Sequence, residues 1–235
     1  MKKIFFESIS STNLYLKENY KTLDDLTVVY ANHQTEGRGR LGRIWIDSDD
    51  LLFSILLKKN INKPTDYTFI IALAVVNILK KYGINSLIKW PNDIIVNKKK
   101  ICGILLEGIA SSKQEAVIIG VGLNVNTTNF TKELVFKATS MKKELKKDFD
   151  KEKLLDDIIS EFENIQVSYN KRKFDLFNEI RGRLYLVDTV ISFTYNGKEE
   201  LGTIKGISDE GKLIIASKDS ILYLSSGEIS FHNNY

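Results

Sequence analysis

The chain has 235 residues, 43% hydrophobic and 27% charged, the composition of an ordinary globular protein of one large or two small domains. Its net charge of +4 comes largely from lysines 98–100 and 142–147, the second run broken by acidic and apolar residues, which reads as solvated faces rather than a nucleic-acid tract. One cysteine (Cys102) excludes an internal disulfide and suits a reducing cytoplasm, two histidines (His33, His232) leave little for a histidine metal site or a Ser-His-Asp triad, and neither a membrane span nor a signal peptide is apparent.

Residues 3–7 read as a strand, and Ser11-Thr12-Asn13 then offers N-cap chemistry for a short helix ending near residues 17–19. Residues 27–31 and 51–58 read as strands. Lys63-Pro64-Thr65-Asp66 opens a helix that is apolar nearly all round and stops near Gly83, so it should be buried against a sheet. Residues 87–90, 94–96, 101–109 and 116–121 follow as a meander, the pattern of a mostly antiparallel or mixed sheet. Asp150 caps a helix with apolar positions Leu154, Leu155, Ile158, Ile159, Phe162, Ile165 and Tyr169, and a second helix spans residues 174–180. Beyond Arg181-Gly182-Arg183, short β-rich runs at 187–195, 200–207, 212–216 and 221–224 alternate with turn sequences such as Asn196-Gly197, the texture of a small barrel or sandwich packed on the larger unit.

The most informative string is Gly37-Arg38-Gly39-Arg40-Leu41-Gly42-Arg43-Ile44-Trp45. Glycines allow close backbone approach, arginine forks fit carboxylate and phosphate oxygens, and the tryptophan offers a stacking face. Together they describe a cationic loop that closes over a small anionic ligand carrying a ring. The string also fits the Gly-x-Gly-x-x-Gly dinucleotide fingerprint, but residues 51–57 form an apolar strand where that motif needs a helix. An RNA-binding Gly-Arg element would repeat, and this one occurs once. Three further strings carry chemistry: Lys89-Trp90-Pro91-Asn92-Asp93, a turn between strands; Lys100-Ile101-Cys102-Gly103, a lysine at the mouth of an apolar strand; and Gly120-Val121-Gly122-Leu123-Asn124-Val125-Asn126, which ends a strand.

With these motifs in this order, from Ser11 to about Ser230, the chain resembles the biotin protein ligases, the biotin–[acetyl-CoA-carboxylase] ligases among them. The resemblance implies an α+β catalytic domain (residues 1–183) with a mixed, mostly antiparallel sheet and packed helices, like that of class II aminoacyl-tRNA synthetases. An SH3-like β-barrel (residues 184–235) would follow, ending at Gly227-Glu228-Ile229-Ser230. It implies a cytoplasmic enzyme that uses ATP and Mg2+ to make biotinyl-5′-AMP from biotin. The biotinyl group then passes to a lysine of a biotin carboxyl carrier protein domain. Nucleic acid and membrane partners are not implied, and homodimerisation is left open. The Ser-Thr-Asn string starts at Ser11, so the N-terminal winged-helix domain that makes some members repressors is not expected.

Site roles follow by resemblance. Ser11, Thr12, Asn13 and Gln34 should meet the ureido ring, with plain helix capping the alternative for Ser11 and Thr12. Gly37, Arg38, Gly39 and Arg40 should wrap the ligand carboxylate and α-phosphate, and Arg43 the departing pyrophosphate. Trp45 should stack near adenine, Lys100 should stabilise developing negative charge, and Gly103 should leave the strand bare for biotin. Asn124 should contact the nucleotide. Arg40, Lys100 and Asp93 form the catalytic set, and Asp93 or Asn124 is the only candidate for touching the metal. A lipoate or octanoate ligase or transferase of the same fold is the alternative, and a non-catalytic nucleic-acid binder is the reading from another class.

Overall fold

A computed structural model describes every residue except 47, 60, 62, 111–113, 219, 227, 228 and 232–235. Seven runs of alternating or continuous hydrophobicity become β1 (Lys3–Ile9), β2 (Val28–Gln34), β3 (Leu51–Leu57), β4 (Leu87–Lys89), β5 (Asp93–Val96), β6 (Lys99–Ala110) and β7 (Gln114–Leu123). They form one sheet in the order β1-β2-β3-β7-β6-β5-β4. Only β1 and β2 are parallel; the other neighbours are antiparallel. A parallel pair needs a crossover, and α1 (Thr12–Asn19) supplies it. The two strands therefore end side by side, with Ile9 opposite Gln34, Thr35 N donating to Ile9 O at 2.9 Å and Glu36 N to Ser10 O at 2.8 Å. This pairing brings the Ser-Thr-Asn string against the start of the Gly-Arg loop.

Strand β3, Leu-Leu-Phe-Ser-Ile-Leu-Leu, is buried at all seven positions because both faces of the sheet are covered. On one face lies α2 (Asp66–Lys81), buried nearly all round, as an apolar helix must be. Its outer side is closed by α4, reached after α3 (Met141–Leu145); α4 (Lys151–Asn170) contributes Leu154, Leu155, Ile158 and Phe162 at three- and four-residue spacing. On the other face Leu16 of α1 packs on Val29, Leu56, Ala116 and Ile118. Gly83, at φ 93°, ends α2 as expected.

Helix α3 falls where the sequence showed a lysine run. Ser140 Oγ accepts from Lys143 N at 3.1 Å to start it, and Lys146 in the left-handed region ends it. Asp150 caps α4 through Glu152 N and Lys153 N at 2.9 and 3.1 Å. Asp150→Ala leaves these donors to water and is expected to cost about 1 kcal/mol, read as a lower midpoint in urea denaturation with an unchanged slope.

Past α5 (Leu176–Arg181), strands β8 (Val190–Tyr195), β9 (Lys198–Ile207), β10 (Leu213–Ser217), β11 (Ser220–Leu224) and β12 (Ile229–Phe231) form a second, antiparallel sheet in the order β11-β10-β9-β8-β12. The Asn196-Gly197 turn between β8 and β9 has both residues at positive φ, as a tight hairpin requires. The expectation of a barrel needs correction. Closure requires the two end strands to pair, and among the described residues β11 and β12 share no ladder, so the sheet is open. Residues 227 and 228 of the string Gly227-Glu228-Ile229-Ser230 lie outside the described residues.

The small sheet is fastened to the larger unit at the β9–β10 turn. Trp90 Nε1 donates to Gly211 O at 3.0 Å, Arg181 Nε to Ile207 O at 3.2 Å, and Arg181 pairs with Asp209. A Cβ on Gly211 would lie 3.0 Å from Phe69 and 3.2 Å from Phe177, so glycine permits the close fit. Among the described residues, no helix is long and apolar enough to cross a membrane.

Candidate active site

Strand register lays the floor. Lys89 pairs with Asp93, Asp93 with Gly103, Gly103 with Gly122, and Gly122 with Leu52. Directly opposed residues share a face, so two glycines form the centre of a row running from a lysine and an aspartate to a leucine. The next row is Leu105, Gly120 and Ser54.

Lys100 reaches this floor through a β-bulge. It stands three residues before Gly103, which in a regular strand would put the two on opposite faces. The register between β5 and β6 shifts, with Ile94 opposite Cys102 but Ile95 opposite Lys100. The extra residue lets Ile101 and Cys102 both enter the core while Lys100 turns to the glycine face. Lys100 Nζ lies 2.7 Å from Asp93 Oδ1 as an ion pair, and a Cβ on Gly103 would meet it at 2.8 Å. Lys89, half-buried beside the same aspartate, is held below its usual pKa chiefly by desolvation; Asp93 opposes that fall, and Lys100 and Arg43 add to it. Burial of the Cys102 thiol pushes it far above its usual range, so it is a core residue rather than a nucleophile.

The Gly-Arg string folds as a small hairpin over the floor. Trp45 N donates to Gly37 O at 3.0 Å, Gly39 N to Arg43 O at 2.7 Å, and Arg38 bridges to Ile44. Gly37 is needed for space, because a Cβ there would lie 2.5 Å from Trp45 O. Leu41 and Gly42 turn the chain at positive φ. Arg40 points inward, donating to Asn92 Oδ1 at 2.8 Å and to Ser226 O of the small sheet at 3.4 Å. Desolvation lowers its pKa, Asp93 raising it in part and Arg43 lowering it further, and a guanidinium remains charged. Arg38 pairs with Glu36 at 3.5 Å, and Arg43 lies exposed at the mouth. The Trp45 indole rests on the bare backbone of Gly122 and Gly103, where a Cβ would stand 2.5 and 2.8 Å from it, with Lys100 Nζ 5.3 Å from the ring centroid. Its Nε1 is buried without a hydrogen-bond partner among the described residues.

The closed end of the cleft is polar. Ser11 does cap α1, accepting from Leu14 N at 3.5 Å. Thr12 does not cap. Its N–H donates to Gln34 Oε1 at 2.8 Å, and its Oγ1 lies 3.0 Å from the same oxygen and 2.6 Å from Ser54 Oγ. Ser54 Oγ donates to Asn13 Oδ1 at 2.6 Å, and Asn13 Nδ2 donates to Glu107 Oε2 at 2.8 Å. One cleft is therefore lined by Ser11, Thr12, Asn13 and Gln34 at one end and by Arg38, Gly39, Arg40, Trp45, Lys100 and Gly103 at the other.

Comparison with known proteins fits this arrangement. The family model described as "Biotin/lipoate A/B protein ligase family" matches residues 5–124, more than half of the chain, and a second, "Biotin protein ligase C terminal domain", matches residues 191–232. The chain belongs to the biotin/lipoate A/B protein ligase family. Among its relatives, the bifunctional ligase/repressor BirA of Bacillus subtilis is 34% identical over 213 residues, 86% of this chain, which spans 65% of that protein's length. The biotin–[acetyl-CoA-carboxylase] ligase of Mycobacterium tuberculosis is 26% identical over 87% of this chain and 79% of its own. The biotin protein ligase of Aquifex aeolicus, solved in complex with biotin and ATP, superposes with a TM-score of 0.89 at 27% identity, covering 99% of both chains.

Most of the residues singled out by family resemblance thus share one cleft, with Gly37 and Arg43 at its wider mouth. Asp93 and Asn124 do not line it: Asp93 stands behind Lys100 as its ion-pair partner, and Asn124 Nδ2 donates to Thr139 O at 2.9 Å in a buried turn beyond the end of β7. Two contributors, Ser54 and Glu107, escaped sequence reading, and Asn92 reads there only as part of a turn. Ser54 sits inside an apolar strand and looked like part of the core. Asn92 joins the loop to the sheet, accepting from Arg40 while its own Nδ2 donates to Ile104 O at 2.8 Å. Glu107, near the far end of β6, turns toward Asn13.

Proposed function

We propose that the chain is an ATP-dependent biotin ligase, with residues 1–183 as catalytic unit and 184–235 as C-terminal unit. A biotin carboxylate oxygen attacks the α-phosphorus of ATP, the bond to the bridging oxygen breaks, and pyrophosphate leaves. The ε-amine of a lysine on a carboxylase carrier domain then attacks the acyl carbon, AMP leaves, the amine gives up a proton and an amide forms. Bringing a carboxylate to a phosphate joins two anions, so the site needs fixed cations at that point. The observation that carries the reading is one cleft with Arg40 and Lys100 over a glycine floor at one end and a hydroxyl–amide cluster at the other.

In this reading Lys100 and Arg40 stabilise charge on the carboxyl and α-phosphoryl oxygens, and Asp93 fixes Lys100 and receives the incoming lysine. Gly37, Arg38 and Gly39 close over the acyl phosphate and Arg43 meets the pyrophosphate. Ser11, Thr12, Asn13 and Gln34 bind the ureido group. Trp45 leaves the glycine floor and stacks on adenine. With the indole in place the cleft holds about 50 Å³ of free space, far below the ~300–1,000 Å³ of ligand pockets, so ligand entry moves the loop. Asn124 supports the nucleotide from behind the strand end. Magnesium comes as part of the Mg·ATP substrate. The described residues offer no cluster of three His, Cys, Asp or Glu to cage it, and Mg2+ is commonly held by substrate phosphates with one or two protein oxygens. Of the two candidates, Asp93 would serve, since Asn124 is buried away from the cleft.

Biotin is favoured over lipoate because lipoate has no ureido group to satisfy the buried donors and acceptors around Thr12. The test is intact-mass analysis of a purified apo carrier domain after incubation with this protein, biotin and Mg·ATP. The expected result is the mass of one biotinyl group, absent without ATP. Modification by lipoate alone would move the protein to the other branch of its family, and modification by neither would remove the proposal.

A further inference from the structure

We infer that Glu107 and Ser54 set the hydrogen-bond polarity of the ureido end of the cleft, making Thr12 an acceptor that selects a ligand bearing N–H groups. The inference rests on the biotin reading above and extends it to two residues that touch no ligand themselves. A carboxylate only accepts, so the Asn13 amide must turn its Nδ2 toward Glu107 Oε2, 2.8 Å away, and its Oδ1 toward Ser54. Ser54 Oγ, 2.6 Å from that Oδ1, spends its single proton there.

Thr12 Oγ1 is 2.6 Å from Ser54 Oγ and 3.0 Å from Gln34 Oε1. Ser54 has no proton left to give it, and Gln34 Oε1 only accepts. The Thr12 proton is therefore committed inside the cluster whichever neighbour takes it, and only lone pairs face the cleft. Ser11 is the counterpart: its Oγ already accepts from Leu14 N, which leaves its own proton to give. An acceptor beside a donor matches a cyclic urea, where N–H flanks C=O. The centre of the network is buried, with Ser54 fully covered and Asn13 only 5% exposed. Glu107 at its outer end is partly exposed and is held as a carboxylate beside Lys17 Nζ at 3.8 Å. Water therefore cannot reverse the pattern at Asn13 and Ser54 at low cost. Gly120 adds to the lock, since a Cβ there would stand 2.2 Å from Asn13 Oδ1.

Glu107→Gln keeps the shape but can offer Asn13 either an N–H or a C=O, which releases the order. Ser54→Ala removes the link in the middle. In steady-state biotinylation each single variant is expected to raise the KM for biotin about tenfold, with kcat and the KM for ATP within about threefold of wild type. Because both act on one wire, the double variant should be little worse than the worse single variant, rather than showing the product of the two effects. An unchanged biotin KM in Glu107→Gln, multiplicative effects in the double variant, or a fall in melting temperature with no change in KM would each overturn the inference. A wild-type protein that fails to biotinylate a carrier at all would instead overturn the functional reading, and this inference with it.

Discussion

Replacing Lys100 with alanine is expected to lower the rate of biotinyl-adenylate formation by about 10²–10³-fold, the ~3–4 kcal/mol typical of a preorganised group aimed at developing charge. The measurement is pyrophosphate release at saturating biotin and Mg·ATP. Lys100 is the cation that the β6 bulge turns onto the glycine face, and its pairing with Asp93 at 2.7 Å holds it there before any ligand arrives. Its removal also takes from Asp93 its 2.7 Å partner, leaving Lys89 beside it as two anions arrive. Arginine should not restore the rate, because its planar fork cannot take the place of a compact ammonium between Asp93 and the Gly103 backbone. A Lys100→Ala protein working within tenfold of wild type would remove Lys100 from the catalytic set.

Gly120→Ala should be nearly as damaging at the other end of the cleft, where the added methyl has no room. Asn13 is held from two sides by Ser54 and Glu107, and β7 lies between β3 and β6, so neither the amide nor the backbone can retreat freely. Overpacking of this kind costs about 1–3 kcal/mol, and the displaced amide abandons buried partners at about 1–3 kcal/mol more. The KM for biotin should rise at least about 100-fold while far-ultraviolet circular dichroism stays native. Gly122→Ala is the contrast. There the conflict is with the Trp45 indole, 2.5 Å away but carried on a surface hairpin able to shift. A biotin KM unaffected in Gly120→Ala would show that Asn13 is not held as the structure indicates.

Much of this was legible in the residues alone, for reasons of range. The buried course of α2, the Asp150 cap and the Asn196-Gly197 turn depend on neighbours within a few positions, and sequence patterns of that length report them well. The Gly-Arg loop was legible from its glycines and arginines, and family resemblance added only the ligand roles. What stayed hidden depends on register across the sheet. That Lys100 shares a face with Gly103 follows from one extra residue in β6, and no pattern in Lys-Ile-Cys-Gly announces a bulge. Ser54 becomes part of the site only because β3 places it beside Gly120, under Thr12 and Asn13 of a helix forty residues earlier. Helix α3 is five residues long, too short for its period to rise above a run of lysines. That β11 and β12 share no ladder among the described residues was equally unreadable, since closure is a matter of which end strands meet.

The bare row at Gly103 and Gly122 sets stability against activity at the centre of the protein. Neither glycine has a positive φ, so the backbone there would accept a β-branched residue without torsional strain. Glycine in a strand gives up about 0.5–1 kcal/mol relative to alanine through the freedom it loses on folding. Variants of this chain selected for heat resistance alone would be expected to fill these positions early, with the Trp45 hairpin and, at Gly103, the Lys100 side chain yielding to make space. They would be sturdier proteins with no floor on which to lay a substrate. A stretch of the sheet that gives up stability is thus the stretch that the activity most needs left empty.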